Sequence, residues 1–394
     1  MKIRYQFRCY PTEAQKTILS QTFGCSRYVY NWGLNLRINA FKEGQKINFG
    51  KSSAALTQLK KTPEACWLKD VSCIPLQQAL RHLDVAYINF FKKRASFPSF
   101  KKKHGKQSAE FTKSGFKFNR EDGNRSLQLS KIGKLNIKWS RGFKSDPTTV
   151  TITKRPSGQY FVSLCLDETK KQMLKTNQSV GVDLGISHLA TLSNGEKIEN
   201  PKHIAAQKKR LGRAQRVLSR RVKGSGRRNR QRLRVAKIQQ KTADSRKDFL
   251  NKLTTNLVRR FDIICIEDLN AKGMVKNRKL SKSISDASFG AFKIMLESKA
   301  KMYGREIRVV NRFFPSSKTC SDCGHIVESL PLQIRQWECP ACGQSHDRDI
   351  NAAKNILAAG RVVTAQGGNR RQVKASALKC NSRRTVNAQI VKCA

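Results

Sequence analysis

The sequence predicts a protein of several domains, in which an α+β part precedes an α/β part. Its 394 residues suggest two or three folded units, at roughly 150 residues per domain. Apolar and polar residues alternate between residues 111 and 167, which is typical of antiparallel strands. After residue 179, short strand-like runs alternate with long helical segments, which indicates an α/β unit. Hydrophobic residues make up 38% of the chain, which is enough for a packed core.

The first part of the chain is predicted to combine strands with helices. Residues 2–10 alternate charged and apolar side chains and are predicted to form a strand. Thr12 can cap the helix that follows, and a stronger amphipathic helix is predicted from Leu76 to Phe91. A basic loop at 92–106 separates these helices from the later strands, the last two of which are predicted to turn at 156–158.

The second part is predicted to alternate strands and helices. Residues 179–200 should form strands joined by tight turns, one of them at Asn194–Gly195. A long helical stretch from about residue 204 to 261 follows, with a break near residues 224–226. The remaining predicted elements are, in order, a strand at 262–269, a helix at 288–303, a strand at 306–311 and a helix at 349–360 that ends at Gly360.

The charge of the chain indicates a nucleic-acid partner. Lys and Arg total 79 against 27 Asp and Glu, which gives a formal net charge of +52. A folded protein with this much like charge repels itself unless a polyanion neutralises it. The start of the sequence has no secretory signal pattern, and no segment approaches the roughly 20 apolar residues of a membrane span. We therefore expect a cytoplasmic protein and exclude the secreted, membrane and ordinary metabolic classes.

Four of the twelve cysteines are closely spaced, as two C-x-x-C pairs with 15 residues between them. They are Cys320, Cys323, Cys339 and Cys342. In a reducing compartment this spacing favours metal binding over disulfides and matches the zinc-ribbon pattern. The glycine after each pair permits the positive φ that the turn requires. Four thiolates close a tetrahedral site, so we predict one structural Zn²⁺, with His325 and His346 as bystanders.

A second set of candidate ligands consists of acids at the ends of predicted elements. They are Asp183 in a strand-like run, Glu267 and Asp268 at the end of an apolar strand, and Asp347 and Asp349 at the start of the last helix. In an α/β fold such acids can converge, and converging carboxylates suit two divalent cations about 4 Å apart that catalyse phosphodiester hydrolysis. For each acid taken alone, a cap, a turn or an ion pair is the alternative, and spacing does not decide between them.

Two further patterns are candidates for nucleic-acid contacts. The segment from Lys208 to Lys237 carries 14 Lys and Arg and no acid. On helices, so many unpaired charges are expected to lie along phosphates rather than to form a merely solvated face. Aromatic residues stand close to basic ones at Tyr28, Tyr30, Trp32, Phe97 and Phe100. These rings can stack on bases, but packing in the core is the favoured interpretation.

Four motifs together closely resemble the TnpB proteins of bacterial and archaeal insertion sequences. They are GVDLG at 181–185, IEDL at 266–269, RFFPSSKTCSDCG at 312–324 and WECPACGQSHDRDINAAKNI at 337–356. Shorter segments also match, namely FRCYPTEAQ near the start, FGCSRYVYN at 23–31, FPSFKKK at 97–103 and SFGAF at 288–292. The resemblance covers nearly the whole chain in order, apart from the tail, and the zinc ribbon before HDRDxNAA makes it highly specific.

The resemblance implies a RuvC-like nuclease domain of RNase H fold with an inserted zinc ribbon, a wedge-like β-barrel and a helical recognition lobe. Residues 1–10 and 101–175 would form the barrel, and residues 11–100 the helical recognition domain inserted into it. Residues 179–360 would form the nuclease domain, with the zinc ribbon at 315–345. The basic tail at 361–394 is expected to be mostly disordered in isolation.

The resemblance also implies which residues form the active site. The Asp, Glu, Asp triad of the family transfers to Asp183, Glu267 and Asp349, which would bind two catalytic Mg²⁺ ions. Asp349 is chosen over Asp347 because the ligand in the family stands two residues before the Asn of D-x-N-A-A. Asp347 would be a neighbour that supports it. The four clustered cysteines would bind the structural Zn²⁺.

TnpB proteins are RNA-guided DNA endonucleases related to type V CRISPR effectors. The resemblance implies that this chain binds a guide RNA from the end of its own element, acts as a monomer with that RNA, and is nucleoid-associated in a prokaryotic cell. It would cut double-stranded DNA beside a short element-linked motif by two-metal hydrolysis, leaving 5′-phosphate and 3′-hydroxyl ends. Two alternatives are left open: a transposase that joins DNA strands with the same triad, and a non-catalytic nucleic-acid-binding regulator.

Overall fold

The computed structural model describes residues 1–121, 124–169 and 172–365. The chain divides into two compact units, of which the first comprises residues 1–169 together with 232–237. The second unit comprises residues 170–231 and the chain from 238 onward. The predicted tail lies outside the described residues from position 366 onward. Within the described ranges, every helix is too short or too polar to span a membrane.

Three α-helices and one 3₁₀ helix follow the first strand of the first unit, and a short 3₁₀ helix, Lys113–Gly115, lies between its later strands. The bounds of the first four are α1 Glu13–Lys42, α2 Phe49–Leu59, the 3₁₀ helix Pro63–Lys69, and α3 Cys73–Phe91. Thr12 caps α1 as predicted: Gln15 N donates to Thr12 Oγ1 at 3.3 Å, and Thr12 N donates to Gln15 Oε1 at 3.1 Å. The apolar faces of these helices share one core, which includes Leu34, Leu56 and Leu80.

The strands of the first unit form two antiparallel sheets. Their bounds are β1 Lys2–Cys9, β2 Gln107–Thr112, β3 Phe116–Glu121, β4 Asn124–Leu129, β5 Gly133–Lys134, β6 Ile137–Lys138, β7 Pro147–Lys154 and β8 Tyr160–Asp167. The five-stranded sheet has the order β2-β7-β8-β1-β6, and the three-stranded sheet has the order β3-β4-β5. Because β1 pairs with β8 along its whole length, the first strand of the chain belongs to the same sheet as the strands around residue 160. Buried side chains from both sheets form one core.

The second unit is built on a mixed five-stranded sheet. The bounds of its elements are β9 Ser179–Asp183, β10 His188–Leu192, β11 Lys197–Glu199, α4 His203–Ser219, α5 Gly226–Arg260, β12 Ile263–Glu267, α6 Ala271–Met274, α7 Ser281–Ala287, α8 Phe289–Tyr303, β13 Glu306–Val310, β14 Gln336–Glu338, β15 Ser345–Asp347 and α9 Arg348–Ala365. The sheet order is β11-β10-β9-β12-β13. Strands β9, β10 and β11 are antiparallel neighbours, whereas β12 pairs in parallel with both β9 and β13. Strands β14 and β15 form a separate hairpin.

The predicted order of elements in this unit is confirmed, with one wrong boundary. The break in the long helical stretch falls between α4 and α5, and Gly195 has the positive φ (92°) of the predicted turn. Helix α9, however, continues to Ala365 instead of ending at Gly360. Gly360 does not end the helix. It allows α9 to pack closely on Cys265, because a Cβ at position 360 would lie 2.8 Å from Cys265 Cβ and even closer to Cys265 Sγ.

The predicted packing of the aromatic residues is confirmed only for part of the set. Tyr30 is buried in the helical core, and Trp32 packs against the same core. Phe97 and Phe100 are about half exposed, at 49% and 52%, so the favoured interpretation as core residues is wrong for both. The loop that carries them is fixed to α1, since Asn31 Oδ1 accepts from Lys101 N at 2.8 Å and Asn31 Nδ2 donates to Lys101 O at 3.0 Å.

Candidate active site and metal centre

Two of the predicted triad acids stand at the ends of neighbouring parallel strands. Asp183 is the last residue of β9 and Glu267 is the last residue of β12. The residues before them, Val182 and Ile266, are partners in the parallel register. Because parallel strands end at the same edge of a sheet, this register places both carboxylates at one edge. The apolar run before each acid is buried, which holds both strand ends in the core.

The third acid is carried by a helix that packs closely on the same strands. Asp349 lies in the first turn of α9. The close approach of α9 to β9 depends on Gly181, because a Cβ there would lie 2.7 Å from Leu357 N and would overlap Ala353 O. A larger residue at position 181 would push the helix away from the sheet. The glycine two residues before Asp183 therefore sets the distance between the strand acids and the helix acid.

The surroundings of Asp183 disfavour its charged form, and the other two acids contribute to this. Burial is the larger cause, followed by the negative charges of Asp349 and Glu267, and together they raise the pKa of Asp183 from 3.8 to about 7. Burial and the charge of Asp268 also raise the pKa of Glu267. In the part of the chain that the structure describes, neither Asp183 nor Glu267 forms an ion pair. Two carboxyl groups without a cationic partner among the described residues are a distinctive local feature in a chain with net charge +52.

Asp349 has an arginine and a histidine beside it that the sequence did not indicate. Arg335 Nη1 lies 3.3 Å from Asp349 Oδ1, and Arg335 Nη2 lies 3.5 Å from Ser187 Oγ. His188 Nδ1 lies 3.9 Å from Asp349 Oδ2 and has no hydrogen-bond partner, although it is buried. Arg335 directly precedes β14, so a residue next to the ribbon hairpin contacts an acid of the predicted triad.

Two other acids near the triad have structural partners. Asp347 Oδ1 accepts hydrogen bonds from Asp349 N and Ile350 N at 3.1 Å, so it caps α9, and its Oδ2 lies 2.6 Å from Lys197 Nζ. Although partial burial opposes them, these contacts hold the pKa of Asp347 below its usual value. Asp268 binds Lys293 at 2.9 Å and also Arg312, which lower its pKa.

The four predicted zinc-ribbon cysteines come together in the structure. Their four Sγ atoms all lie within 4.8 Å of one another. The Sγ atoms of Cys320 and Cys342 are 3.7 Å apart, and those of Cys323 and Cys339 are 3.6 Å apart. A tetrahedron with metal–sulfur bonds of about 2.3 Å has edges of about 3.8 Å, so these distances fit a metal ion such as Zn²⁺.

Both C-x-x-C turns have the same backbone geometry, and the predicted glycine conformations are confirmed. Gly324 and Gly343 have φ values of 78° and 70°. In the first turn Gly324 N donates to Cys320 O at 3.0 Å, and in the second Gly343 N donates to Cys339 O at 2.8 Å. These turns place the two sulfurs of each pair on the same side, as a four-cysteine site requires.

His346, predicted to be a bystander, is absent from the group of clustered ligand side chains but contacts one of its cysteines. Its Nε2 lies 3.0 Å from Cys320 Sγ, the side chain is only 6% exposed, and its ring packs against Trp337 at 5.0 Å between centroids. The register of the hairpin places these two rings opposite each other. An imidazole N–H beside a thiolate orients that ligand by a hydrogen bond.

Two asparagines of α9 are the clearest functional candidates that the sequence interpretation missed. Asn351 and Asn355 are buried at 1% and 6% exposure and hydrogen-bond to the segment around Cys320. A signal was present, because two amides one helical turn apart among Ala, Ile and Leu imply polar groups on a buried face.

Comparisons with known proteins show what the chain is similar to. Residues 163–278 match a family model described as "Probable transposase", residues 289–356 one described as "Cas12f1-like, TNB domain", and residues 1–46 one described as "Helix-turn-helix domain". Within residues 1–46 the structure has a strand followed by the single continuous helix α1.

Two relatives that align over more than nine-tenths of both chains decide the family. A "Putative RNA-guided DNA endonuclease" of Streptomyces pristinaespiralis is 46% identical over 372 residues, which is 93% of this chain and 91% of that protein. "Putative RNA-guided DNA endonuclease InsQ" of Escherichia coli is 32% identical over 380 residues, which is 92% of this chain and 93% of that protein. A "TnpB-like protein" of Acanthamoeba polyphaga mimivirus is 36% identical over 132 residues, 32% of this chain and 25% of that protein. The chain belongs to the TnpB family.

Solved structures of effector nucleases share the fold of this TnpB chain. The structure of Cas12f1 in complex with sgRNA and target DNA aligns with a TM-score of 0.58 and 13% identity, covering 91% of this chain and 98% of that one. The mini-RNA-guided endonuclease Cas_phi3 aligns with a TM-score of 0.55 and 9% identity, covering 91% and 92%. At such low identity the likeness concerns the fold.

The basic segment of this TnpB chain is exposed on its helices. Thirteen of its 14 Lys and Arg side chains, all but Arg228, are exposed to solvent. Arg228 instead joins α4 to α5, since its Nη1 donates to Leu218 O at 2.8 Å and to Arg221 O at 2.6 Å. None of the fourteen forms an ion pair with an acid of the described ranges, so their charge is available to a polyanion.

Proposed function

We propose that this chain is an RNA-guided DNA endonuclease of a transposable element, which cuts double-stranded DNA beside a short element-linked motif. The observation that carries the proposal is the group of three interacting carboxylates, two of them without a cationic partner among the described residues, in a chain with 79 Lys and Arg. A structural role gives an acid a cap or an ion pair, as Asp347 and Asp268 illustrate. A metal site instead requires carboxylates that a divalent cation will neutralise.

The comparisons support the same function. The Streptomyces and Escherichia coli relatives bear names that contain RNA-guided DNA endonuclease, and each aligns over more than nine-tenths of its length. The solved Cas12f1 complex contains a single guide RNA and target DNA. In such systems base pairing selects the target sequence while the protein recognises duplex shape and a short flanking motif. The net charge of +52 fits this division, because guide RNA and heteroduplex both need neutralising.

The second unit is proposed to be the RuvC-like nuclease domain of RNase H fold, with the zinc ribbon inserted before α9. A mixed sheet in which three antiparallel strands adjoin two parallel ones, with acids at two strand ends, supports this assignment. The two sheets at residues 2–9 and 107–167 support the wedge-like barrel, and the helices between them support the recognition domain.

Asp183, Glu267 and Asp349 are proposed to hold two Mg²⁺ ions through carboxylate oxygens. When bound, the two ions activate water and stabilise the leaving oxygen of phosphodiester hydrolysis. Asp183 must release its proton for this, because a pKa of about 7 leaves the carboxyl largely protonated in mildly acidic solution. Asp347 holds the start of α9 by its cap, and Arg335 lies beside the Asp349 carboxylate, where a bound divalent cation would compete with it.

The four clustered cysteines are proposed to hold one Zn²⁺ with a structural role. Four thiolates leave no open coordination position, so the ion contributes to folding instead of chemistry. The N–H of His346 would orient the Cys320 thiolate.

The test uses the full chain co-expressed with the DNA downstream of its gene. The bound RNA is recovered and sequenced, and a plasmid library is supplied that matches its 3′ end beside randomised flanking bases. We expect Mg²⁺-dependent cutting beside one flanking motif, absent in Asp183→Asn and retained in Asp248→Asn. Asp248 is the matched control because it lies in the same unit and its ion-pair partner among the described residues is Lys252, on the surface of α5.

Two results would contradict the proposal. Bound RNA without cutting by any metal would indicate a non-catalytic regulator. A product in which DNA strands are joined, instead of cut ends with 5′-phosphates, would indicate a transposase with the same acids.

A further inference from the structure

Helix α9 contacts the cysteine ribbon through the side chains of two buried asparagines. Asn351 Nδ2 donates to Thr319 O at 2.7 Å, and its Oδ1 accepts from Ser321 N at 2.9 Å. Asn355 Nδ2 donates to Thr319 O at 2.6 Å and to Ser316 O at 2.8 Å. Thr319 and Ser321 are the residues on either side of Cys320, so the two amides fix the backbone of a cysteine ligand.

A second contact joins the same cysteine to the other side of the helix start. His346 Nε2 reaches Cys320 Sγ, and His346 directly precedes Asp347, the cap of α9. Asp349 therefore lies between these contacts in the sequence: His346 is three residues before it and Asn351 is two residues after it. Both of these neighbours contact Cys320 or the residues beside it.

The middle of α9 is held by other means. Helix α9 packs closely on β9 and β12 because Gly181 and Gly360 have no Cβ atom at the two contact points. Buried Ala353 and Ile356 belong to the same part of the helix. Loss of the ribbon contacts would therefore leave the helix on the sheet and release mainly its first turn, where Asp349 lies. A buried amide or imidazole group left without its partner is destabilising, which favours rearrangement of that turn.

We propose that Asn351, Asn355 and His346 are positioning residues that make the divalent-cation affinity of the acidic site depend on the metal-bound ribbon. The four cysteines would hold the ion, Asn351, Asn355 and His346 would keep the first turn of α9 in a fixed position relative to Cys320, and Asp349 would thereby be held near Asp183. Without the ion, no metal would hold the four thiol groups together. The first turn of α9 would then lose the fixed position of Cys320 on which its contacts depend. The inference rests on the proposed function, because it assigns Asp349 to the cation site.

The experiment measures Mn²⁺ binding to the full chain free of nucleic acid, by the electron paramagnetic resonance signal of unbound Mn²⁺. The proteins compared are wild type, zinc-depleted wild type, Asn351→Leu, and the control Asn251→Ala. Asn251 is a helical asparagine of the same unit whose side chain donates within its own helix, α5, to Lys247 O at 2.8 Å. Asp183→Asn defines the signal that belongs to the acidic site.

We expect zinc depletion and Asn351→Leu each to weaken the Asp183-dependent Mn²⁺ site by about 10–100-fold, the usual effect of removing a group that orients a metal ligand. Asn251→Ala should bind as wild type does. Asn351→Leu should keep its zinc, and hydrogen exchange of the peptide 346–351 should accelerate in both weakened proteins. If Asn351→Leu does not fold, His346→Leu and His346→Gln replace it, and His346→Gln should restore affinity because it retains a side-chain N–H.

The outcomes separate this proposal from the proposed function. An Asp183-dependent Mn²⁺ site that is equally strong with and without zinc overturns the coupling and leaves the nuclease proposal intact. A wild type with no Asp183-dependent Mn²⁺ site overturns both. Slower exchange of peptide 346–351 after zinc removal would also contradict the coupling.

Discussion

Replacing Asp183 by Asn should raise the stability of the protein without Mg²⁺, and more so at higher pH. The folded chain keeps a proton on Asp183 up to about pH 7, whereas an unfolded chain loses it near the ordinary value of 3.8. Between these values the folded state binds more protons than the unfolded state, so stability falls as pH rises. Below about pH 4 both states are protonated, and the raised pKa then has no cost.

The magnitude follows from the pKa. Each tenfold change in proton affinity is worth roughly 1.4 kcal/mol, so a pKa of about 7 in place of 3.8 corresponds to about 4 kcal/mol. We therefore expect Asp183→Asn to gain about 4 kcal/mol over wild type between pH 4 and pH 8, because Asn cannot ionise. Asp268→Asn should lose stability at high pH instead, since Lys293 and Arg312 lower the pKa of Asp268 and stabilise its charged form.

The assay is urea unfolding near pH 5 and near pH 8 in zinc-loaded protein without Mg²⁺. Samples equilibrated in urea at each pH are pulse-labelled by hydrogen exchange at one fixed pH. The unfolded fraction is then measured on the peptides of β9 and β12, so that unfolding of the first unit does not contribute. Added Mg²⁺ should restore the stability of wild type at pH 8 and leave Asp183→Asn unchanged. If the midpoints of wild type and Asp183→Asn shift in parallel between the two pH values, the proton does not reside on Asp183 and the reasoning fails.

Three further predictions concern the parts that surround the acids. Gly181→Ala should destabilise the second unit by about 1–3 kcal/mol, because its Cβ would lie 2.7 Å from Leu357 N; the urea midpoint of β9 measures this. Cys339→Ser should lose the single zinc equivalent and lower the melting temperature; an unchanged zinc content would contradict the four-cysteine site. Arg335→Ala should tighten Mn²⁺ binding to the nucleic-acid-free protein, because it removes the cation that competes for Asp349; weaker binding would show that Arg335 supports the site.

Features that depend on local patterns were predictable from the sequence. The apolar runs before Asp183 and Glu267 indicated both strands. The spacing of the two C-x-x-C pairs predicted that their four sulfurs form one metal site. The loop between α4 and α5 was marked by its glycines. Each of these features is set within a few residues, so a sequence pattern contains most of the information that determines it.

Features that depend on contacts between distant segments were not predictable. Gly360 looks like a helix end, but it packs inside α9 against Cys265, almost a hundred positions earlier. His346 looks like a bystander because its partner Cys320 lies in the other turn of the ribbon. The ion pair of Arg335 with Asp349 likewise depends on where the β14–β15 hairpin folds back. Such roles follow from the packing of elements, which spacing alone does not specify.

The three predicted catalytic acids differ in how firmly the fold fixes them. Asp183 and Glu267 end adjacent parallel strands, so the hydrogen-bond register of the sheet sets their separation. Asp349 has no such register, because it belongs to a helix whose first turn is held by side chains: the Asp347 cap, and the amides and imidazole that contact the ribbon. The geometry of the site is therefore most sensitive at α9. Substitutions that spare the sheet and disturb the ribbon should affect cation binding before they affect folding.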